Sequence, residues 1–154
     1  MKHSKPAFAM ITVVFLIILM ATIAAFVLNL SGKMVQATTA QYQREQAMLL
    51  ARSYTEYAIL AVMSNDRAAN CLHTITGDIG DAPATGDGYQ ARVEIRYIGN
   101  FAQVGTCGAN NILSSTVAYP QSPLNIIVDT YIQYRDLDNA NQWLTFHKRT
   151  LQKI

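Results

Sequence analysis

The chain has 154 residues, of which 12 are Lys or Arg and 10 are Asp or Glu, so 14% are charged against roughly 25% in an ordinary soluble domain. Half are apolar, with only 8 Gly and 4 Pro, which excludes a disordered, collagen-like or low-complexity chain and leaves one domain as the expectation. The formal charge of +2 is an N-terminal effect, because Lys2 and Lys5 precede the first apolar run while residues 33–154 carry ten basic and ten acidic side chains. A neutral folded part lacks the electrostatic footprint of a nucleic-acid binder, so no direct DNA or RNA partner is expected.

No charge occurs between Pro6 and Gly32, and residues 8–28 (FAMITVVFLIILMATIAAFVL) are interrupted only by Thr12 and Thr22, whose hydroxyls can bond back to helix carbonyls. As a helix the run reaches about 31 Å, which matches a hydrocarbon core of about 30 Å. Lys2, His3 and Lys5 stand before it, so the positive-inside bias places the N-terminus in the cytoplasm and the rest of the chain beyond the membrane. A secretory signal peptide has the same basic start but a shorter apolar core ending in a small-x-small site; here the run is longer, and Thr22, Ile23, Ala24, Ala25 and Phe26 offer no Ala-x-Ala.

Nothing obliges this helix to stop at the membrane. No proline lies between Pro6 and Pro83, Gly32 is the sole glycine before Gly77, and residues 33–63 are rich in good helix formers. One helix over residues 8–63 is the economical reading. Its second half is amphipathic, with Ala47, Leu50, Tyr54, Tyr57, Ala58 and Ala61 recurring at steps of three and four, while Gln41, Arg44, Glu45, Arg52 and Glu56 fall outside that stripe. The stripe is expected to pack on the protein's own core.

Beyond the helix the period changes to two. Tyr89, Ala91, Val93, Ile95 and Tyr97 alternate with Gln90, Arg92, Glu94 and Arg96, and residues 125–135 repeat the pattern with Ile126, Val128, Thr130, Ile132 and Tyr134 on one side. Residues 142–151 follow after a polar turn, which makes a hairpin. Three antiparallel strands with one apolar face would cover the helix. The fold class expected is therefore α+β: a long N-terminal helix, half membrane-spanning and half amphipathic, packed on a small antiparallel sheet. Residues 77–88 and 99–123, rich in Gly, Asn, Ser and Pro, read as loops.

Lys2-His3-Ser4-Lys5-Pro6-Ala7, then Phe8-Ala9-Met10-Ile11 and an apolar run opening one long helix, resembles the leader and N-terminal helix of type IV pilins and of the pseudopilins of type II secretion and DNA-uptake machines. The resemblance covers residues 1–60 as motif and the remainder as architecture. It implies a leader at residues 1–7 removed by a prepilin peptidase between Ala7 and Phe8, and N-methylation of Phe8. It further implies a transmembrane half at 8–32, an amphipathic half at 33–64 and a periplasmic pilin-like head at 65–154. The family's usual carboxylate, fifth in the mature chain, falls at Thr12, and no Asp or Glu precedes Glu45. Members lacking that carboxylate include minor subunits at the fibre tip.

The two cysteines, Cys71 and Cys107, both lie beyond the membrane segment; in an oxidising periplasm such a pair is expected to bridge. The bridge would enclose 37 residues, both cysteines included, and contribute about 3.8 kcal/mol on the chain-entropy model. Zinc is disfavoured because no CxxC pair occurs and His73 stands alone beside Cys71. Asp136, Asp138, Asn139 and Asn141 suggest calcium, but the EF-hand spacing fails at Ala140 and His147 occupies the twelfth position; a solvated turn is the simpler reading. His73 and His147 read as surface or strand histidines without a positioned carboxylate. Ser114 and Ser115 lack an elbow motif, and residues 77–80 (GDIG) lack phosphate-loop spacing. Trp143 and Phe146 are expected to pack in the sheet, and Ala21 and Ala25 form a small-x-x-x-small pair that could seat a neighbouring helix.

The expectation is thus a non-enzymatic minor pseudopilin without catalytic residues, metal or cofactor. It would be held in the bacterial inner membrane as a single pass, with other pseudopilins or minor pilins, the prepilin peptidase and assembly-platform proteins as partners. An uncleaved single-pass scaffold of an envelope complex is the alternative, and a membrane-tethered periplasmic enzyme stands third.

Overall fold

In the computed structural model the described residues are 6–67, 70–81, 88–117, 124–136 and 142–154, with side chains from residue 10. Helix α1 runs unbroken over Pro6–Ser64. It is followed by β1 (Thr74–Ile79), β2 (Tyr89–Ile98), the short helix α2 (Phe101–Val104), a 3-10 turn (Ala109–Asn111), β3 (Ile112–Ser114), β4 (Asn125–Arg135) and β5 (Trp143–Lys153). The chain falls into two compact units, Met1–Ala40 and Gln41–Ile154.

Among the described residues the first unit is helix alone. Every described side chain from residue 10 to 38 is exposed, and one helix is long and apolar enough to cross a membrane. Thr22 donates to the Leu19 carbonyl at 2.8 Å, which satisfies within the helix a hydroxyl that an apolar medium would otherwise penalise.

The second unit is an α+β head. The sheet runs β1-β2-β4-β5, with β3 also on β2. The long ladders are antiparallel and unbroken, Tyr89 to Ile98 on β4 and Trp143 to Lys153 on β4. β2 is covered on its other edge in two pieces: β1 pairs with residues 89–94 and β3, in parallel, with Tyr97 and Ile98. The strands at 89–97, 125–135 and 142–151 are therefore present almost as the sequence pattern delimits them. The second half of β1, α2, the 3-10 turn and β3 lie where the composition reads as loop. β1 was hidden by its glycine. Gly77 faces inward between Ile75 and Ile79, and a Cβ there would collide with the Tyr54 hydroxyl, so the residue that weakens the strand signal is the one that admits the helix.

The inner face of the sheet follows the alternation. Ala91, Val93, Ile95, Tyr97, Ile126, Val128, Thr130 and Ile132 are buried against α1. On the helix, the buried stripe is Gln43, Ala47, Ala51, Thr55, Ala58 and Val62. This corrects the expected stripe: Ala47 and Ala58 belong to it, Leu50, Tyr54 and Ala61 lie half-buried at its border, and Tyr57 is 58% exposed. Small residues at steps of three and four let the helix backbone approach the larger Val, Ile and Tyr side chains of the sheet. Large apolar residues also line the opposite side of α1, where Leu49, Tyr57, Leu60 and Met63 are exposed, so apolarity alone does not tell which face turns inward.

Two polar contacts fix the packing of helix on sheet. Thr55 donates to the Ala51 carbonyl at 2.6 Å and lies 3.0 Å from the Thr130 hydroxyl. Since Thr55 has a single hydroxyl proton, Thr130 is the donor between them. Nearer the start of the head, the Gln43 side-chain amide donates to the Arg135 carbonyl at 3.1 Å.

Candidate functional site

Three places carry the chemistry the sequence singled out. The first is the helix N-terminus. Ala7 and Phe8 fall in the opening turn of α1, which begins at Pro6; their side chains lie outside the described residues, as do residues 1–5. Thr12 is exposed on the same helix, within a stretch whose apolar side chains have no protein cover. This stretch belongs to the helix that is long and apolar enough to cross a membrane.

The second is a covalently closed corner at the far end of the head. Cys71 and Cys107 form a disulfide with Cα atoms 5.0 Å apart, and both are buried in the core cluster that contains Ala58, Val62, Tyr97 and Val104. The bond ties the segment after α1 to the turn after α2. Hydrogen bonds reinforce it: Thr106 donates to the Arg67 carbonyl at 2.6 Å, and Tyr97 donates to the Leu72 carbonyl at 2.6 Å. Burial pushes the Tyr97 hydroxyl above its ordinary pKa, with the Arg67 charge and this hydrogen bond acting the other way. α2 is held by a reciprocal cap in which Asn100 and Gln103 satisfy each other's backbone amides. His73 lies here too, its Nδ1 2.6 Å from the Asn111 side-chain nitrogen.

The third was missed in the sequence. Asp129 sits at an outward position of β4, yet it is fully buried. Arg149, directly across the ladder on β5, donates from Nε to Oδ1 at 2.7 Å and from Nη2 to Oδ2 at 2.9 Å, and His147 Nε2 stands 2.8 Å from Oδ1. The His147 ring stacks on Tyr131 with centroids 4.5 Å apart. Burial alone would raise the Asp129 pKa; the hydrogen bonds from Arg149 and His147, and their charges, outweigh it and hold the carboxyl below its ordinary value. The hydrogen bonding to Asp129 and the charge of its carboxylate raise Arg149 above its own. The next position across the sheet from Asp129 is Glu94, which is paired with Arg92 at 2.9 Å and Arg96 at 3.8 Å.

His147 therefore does have a positioned carboxylate, contrary to its sequence reading. That arrangement is a clamp between β4 and β5, because Arg149 occupies both oxygens of Asp129 and the polar and ring contacts of His147 are to Asp129 and Tyr131. The available signal was an Asp in mid-strand, a residue type depleted in strands, with two basic residues on the neighbouring strand. A shallow concavity of about 400 Å³ lies beside the clamp on the same face, lined by Thr76, Arg92, Tyr131 and Gln133 among others.

Other expected positions resolve as follows. Phe146 packs half-buried at the core edge, whereas Trp143 points outward, 42% exposed, with the Arg135 guanidinium 5.0 Å from its ring centroid; an odd number of positions separates them, so they cannot share a face. Residues 77–79 of the GDIG segment are strand. Of the calcium candidates, Asp138, Asn139 and Asn141 lie outside the described residues. Among the described residues no group of three or more His, Cys, Asp or Glu is placed to hold a metal ion. Comparison with protein-family models, with curated proteins and with solved structures found no match for the chain.

Proposed function

We propose that the chain is a non-enzymatic minor pseudopilin, a pilin-like subunit of a type II secretion or type IV pilus-like machine serving protein secretion or DNA uptake. Its N-terminus is cytoplasmic and its head periplasmic, and residues 1–7 are removed before assembly. The observation that carries the reading is α1 itself: one helix over Pro6–Ser64, uncovered and apolar at its start, whose last turns supply the inner layer of a disulfide-closed α+β head. A helix that serves both as anchor and as core element suits a subunit that assembles through its N-terminal half.

Thr12 adds a position. In the family this chain resembles, a carboxylate at that place neutralises the terminal amine of the subunit above, in an apolar bundle where an unpaired charge is costly. A subunit with nothing above it has no such amine to neutralise, so Thr12 fits a tip or initiating place. Intact mass of the protein from native membranes tests processing: loss of residues 1–7 with one added methyl group on Phe8 is expected. Retention of those residues in working assemblies would replace the reading by the uncleaved scaffold. Crosslinking from single cysteines near residue 12 tests position: contacts to other pilin-like subunits at low copy number are expected, and repeated self-contacts along a filament would contradict a tip.

A further inference from the structure

β5 is the outermost strand of the sheet. Its eleven residues pair with β4 along one edge without a bulge, and among the described residues its other edge has no strand partner. Alternate residues along that edge direct N–H and C=O groups away from the sheet. Edges of this kind are commonly shortened, bulged, interrupted by proline or guarded by charged side chains; β5 (WLTFHKRTLQK) is long, regular and free of proline and glycine, and its guard is basic alone. The opposite edge of the sheet is divided between β1 and β3 and offers no comparable template.

The charge on β5 selects what can pair there. His147, Lys148, Arg149 and Lys153 are its titratable residues, and it has no carboxylate. Arg149 uses Nε and Nη2 on Asp129 while its side chain stays 58% exposed, which leaves Nη1 directed elsewhere. Lys148, half-buried on the inner side, has no carboxylate within ion-pair distance among the described residues. A second copy is a poor occupant: antiparallel pairing about the strand centre sets Lys148 against itself and His147 against Arg149, and parallel in-register pairing repeats every like charge. Glu94, Asp129 and Arg149 stand in one row across β2, β4 and β5, so a carboxylate on a strand added beyond Arg149 would extend the row with an opposite charge.

We propose that the open edge of β5 receives, by strand addition, an extended segment of a different protein. That segment carries carboxylates on the side of His147 and Arg149 and apolar residues on the side of Leu144 and Phe146. Backbone hydrogen bonds supply the pairing and the alternating side chains supply the choice of partner. Leu144 and Phe146, half-buried at the border of the core, gain the cover they lack. The inference rests on β5 and stands apart from the assignment of the chain to a secretion or pilus machine.

The test uses the full chain in a neutral detergent and an acetylated peptide alternating Glu and Val over nine positions. Amide exchange resolved along β5 should slow at alternate residues when the peptide is added. A peptide with Lys in place of Glu should fail to protect, and so should one N-methylated on the amides that face the strand, since it keeps the charge and loses the hydrogen bonds. Lys153→Glu, which reverses the free charge on the face of His147 and Arg149 and leaves the Asp129 clamp intact, should weaken binding by roughly fivefold or more. Absence of protection overturns the proposal. Equal binding of the N-methylated peptide also overturns it, because attraction to the sheet surface would then suffice. Concentration-dependent protection of β5 without any peptide overturns it in favour of a second copy.

Discussion

Asp129 is buried on the solvent side of the sheet because Arg149, its direct neighbour across the β4–β5 ladder, lies over it with hydrogen bonds of 2.7 and 2.9 Å. A carboxylate so placed would ordinarily be an outward, hydrated residue. Here the guanidinium replaces water, and His147 completes the cover.

Loss of this clamp has a defined pH signature. Asp129→Asn is expected to cost about 2 kcal/mol, the scale of a charge-assisted hydrogen-bond set with one partner half in water. Because the folded-state pKa of Asp129 is lowered, the stabilisation is fully present above the unfolded-state value of about 4 and is lost as pH falls through the lower folded-state value. Urea unfolding followed by the fluorescence of Trp143, the single tryptophan, should show a gap between wild type and variant that is present at pH 5 and above and closes below about pH 4.

The helix–sheet hydroxyl pair offers a cleaner cycle. Thr55→Val leaves Thr130, fully buried, without the acceptor it donates to, and is expected to destabilise by about 1–2 kcal/mol. Thr55→Val with Thr130→Val removes both groups at nearly unchanged volume and should recover most of that loss. Urea midpoints of the four proteins give the coupling directly.

Cys71 and Cys107 should resist alkylation until reduced. Replacing both with Ser should lower stability by about 2–4 kcal/mol and loosen the turn after α2 first, since Thr106 and Cys107 carry the contacts that hold it. Mass spectrometry of alkylated protein and proteolysis near residue 106 check the two parts.

Ala51→Leu or Ala58→Leu forces a large side chain between α1 and the sheet and is expected to cost about 1–3 kcal/mol or more. Leu60→Ala, on the exposed side of the same helix, should change stability by less than about 0.5 kcal/mol. Thermal melts distinguish the sheet-facing stripe from the apolar face opposite it; similar losses at all three positions would mean that the helix is turned differently.

Much of this fold is legible without coordinates. A run from residue 8 to 63 with nothing to break a helix, a period of two at 89–97 and 125–135, and a further run at 142–151 after a polar turn indicate α1, β2, β4 and β5, because each pattern is local and long enough to outweigh single exceptions. The pairing of two lone cysteines was equally accessible, since neither had another partner to take. What the linear pattern could not decide are matters of neighbours. β1 exists because β2 offers it a ladder and Gly77 gives way to Tyr54. The inward face of α1 is the Ala and Thr stripe, because the sheet's large side chains leave room only for small ones. Asp129 is buried because Arg149 and His147 close over it from another strand. Chain chemistry sets which elements form; burial depends on what lies across from each residue, and that is settled when strands and helix meet.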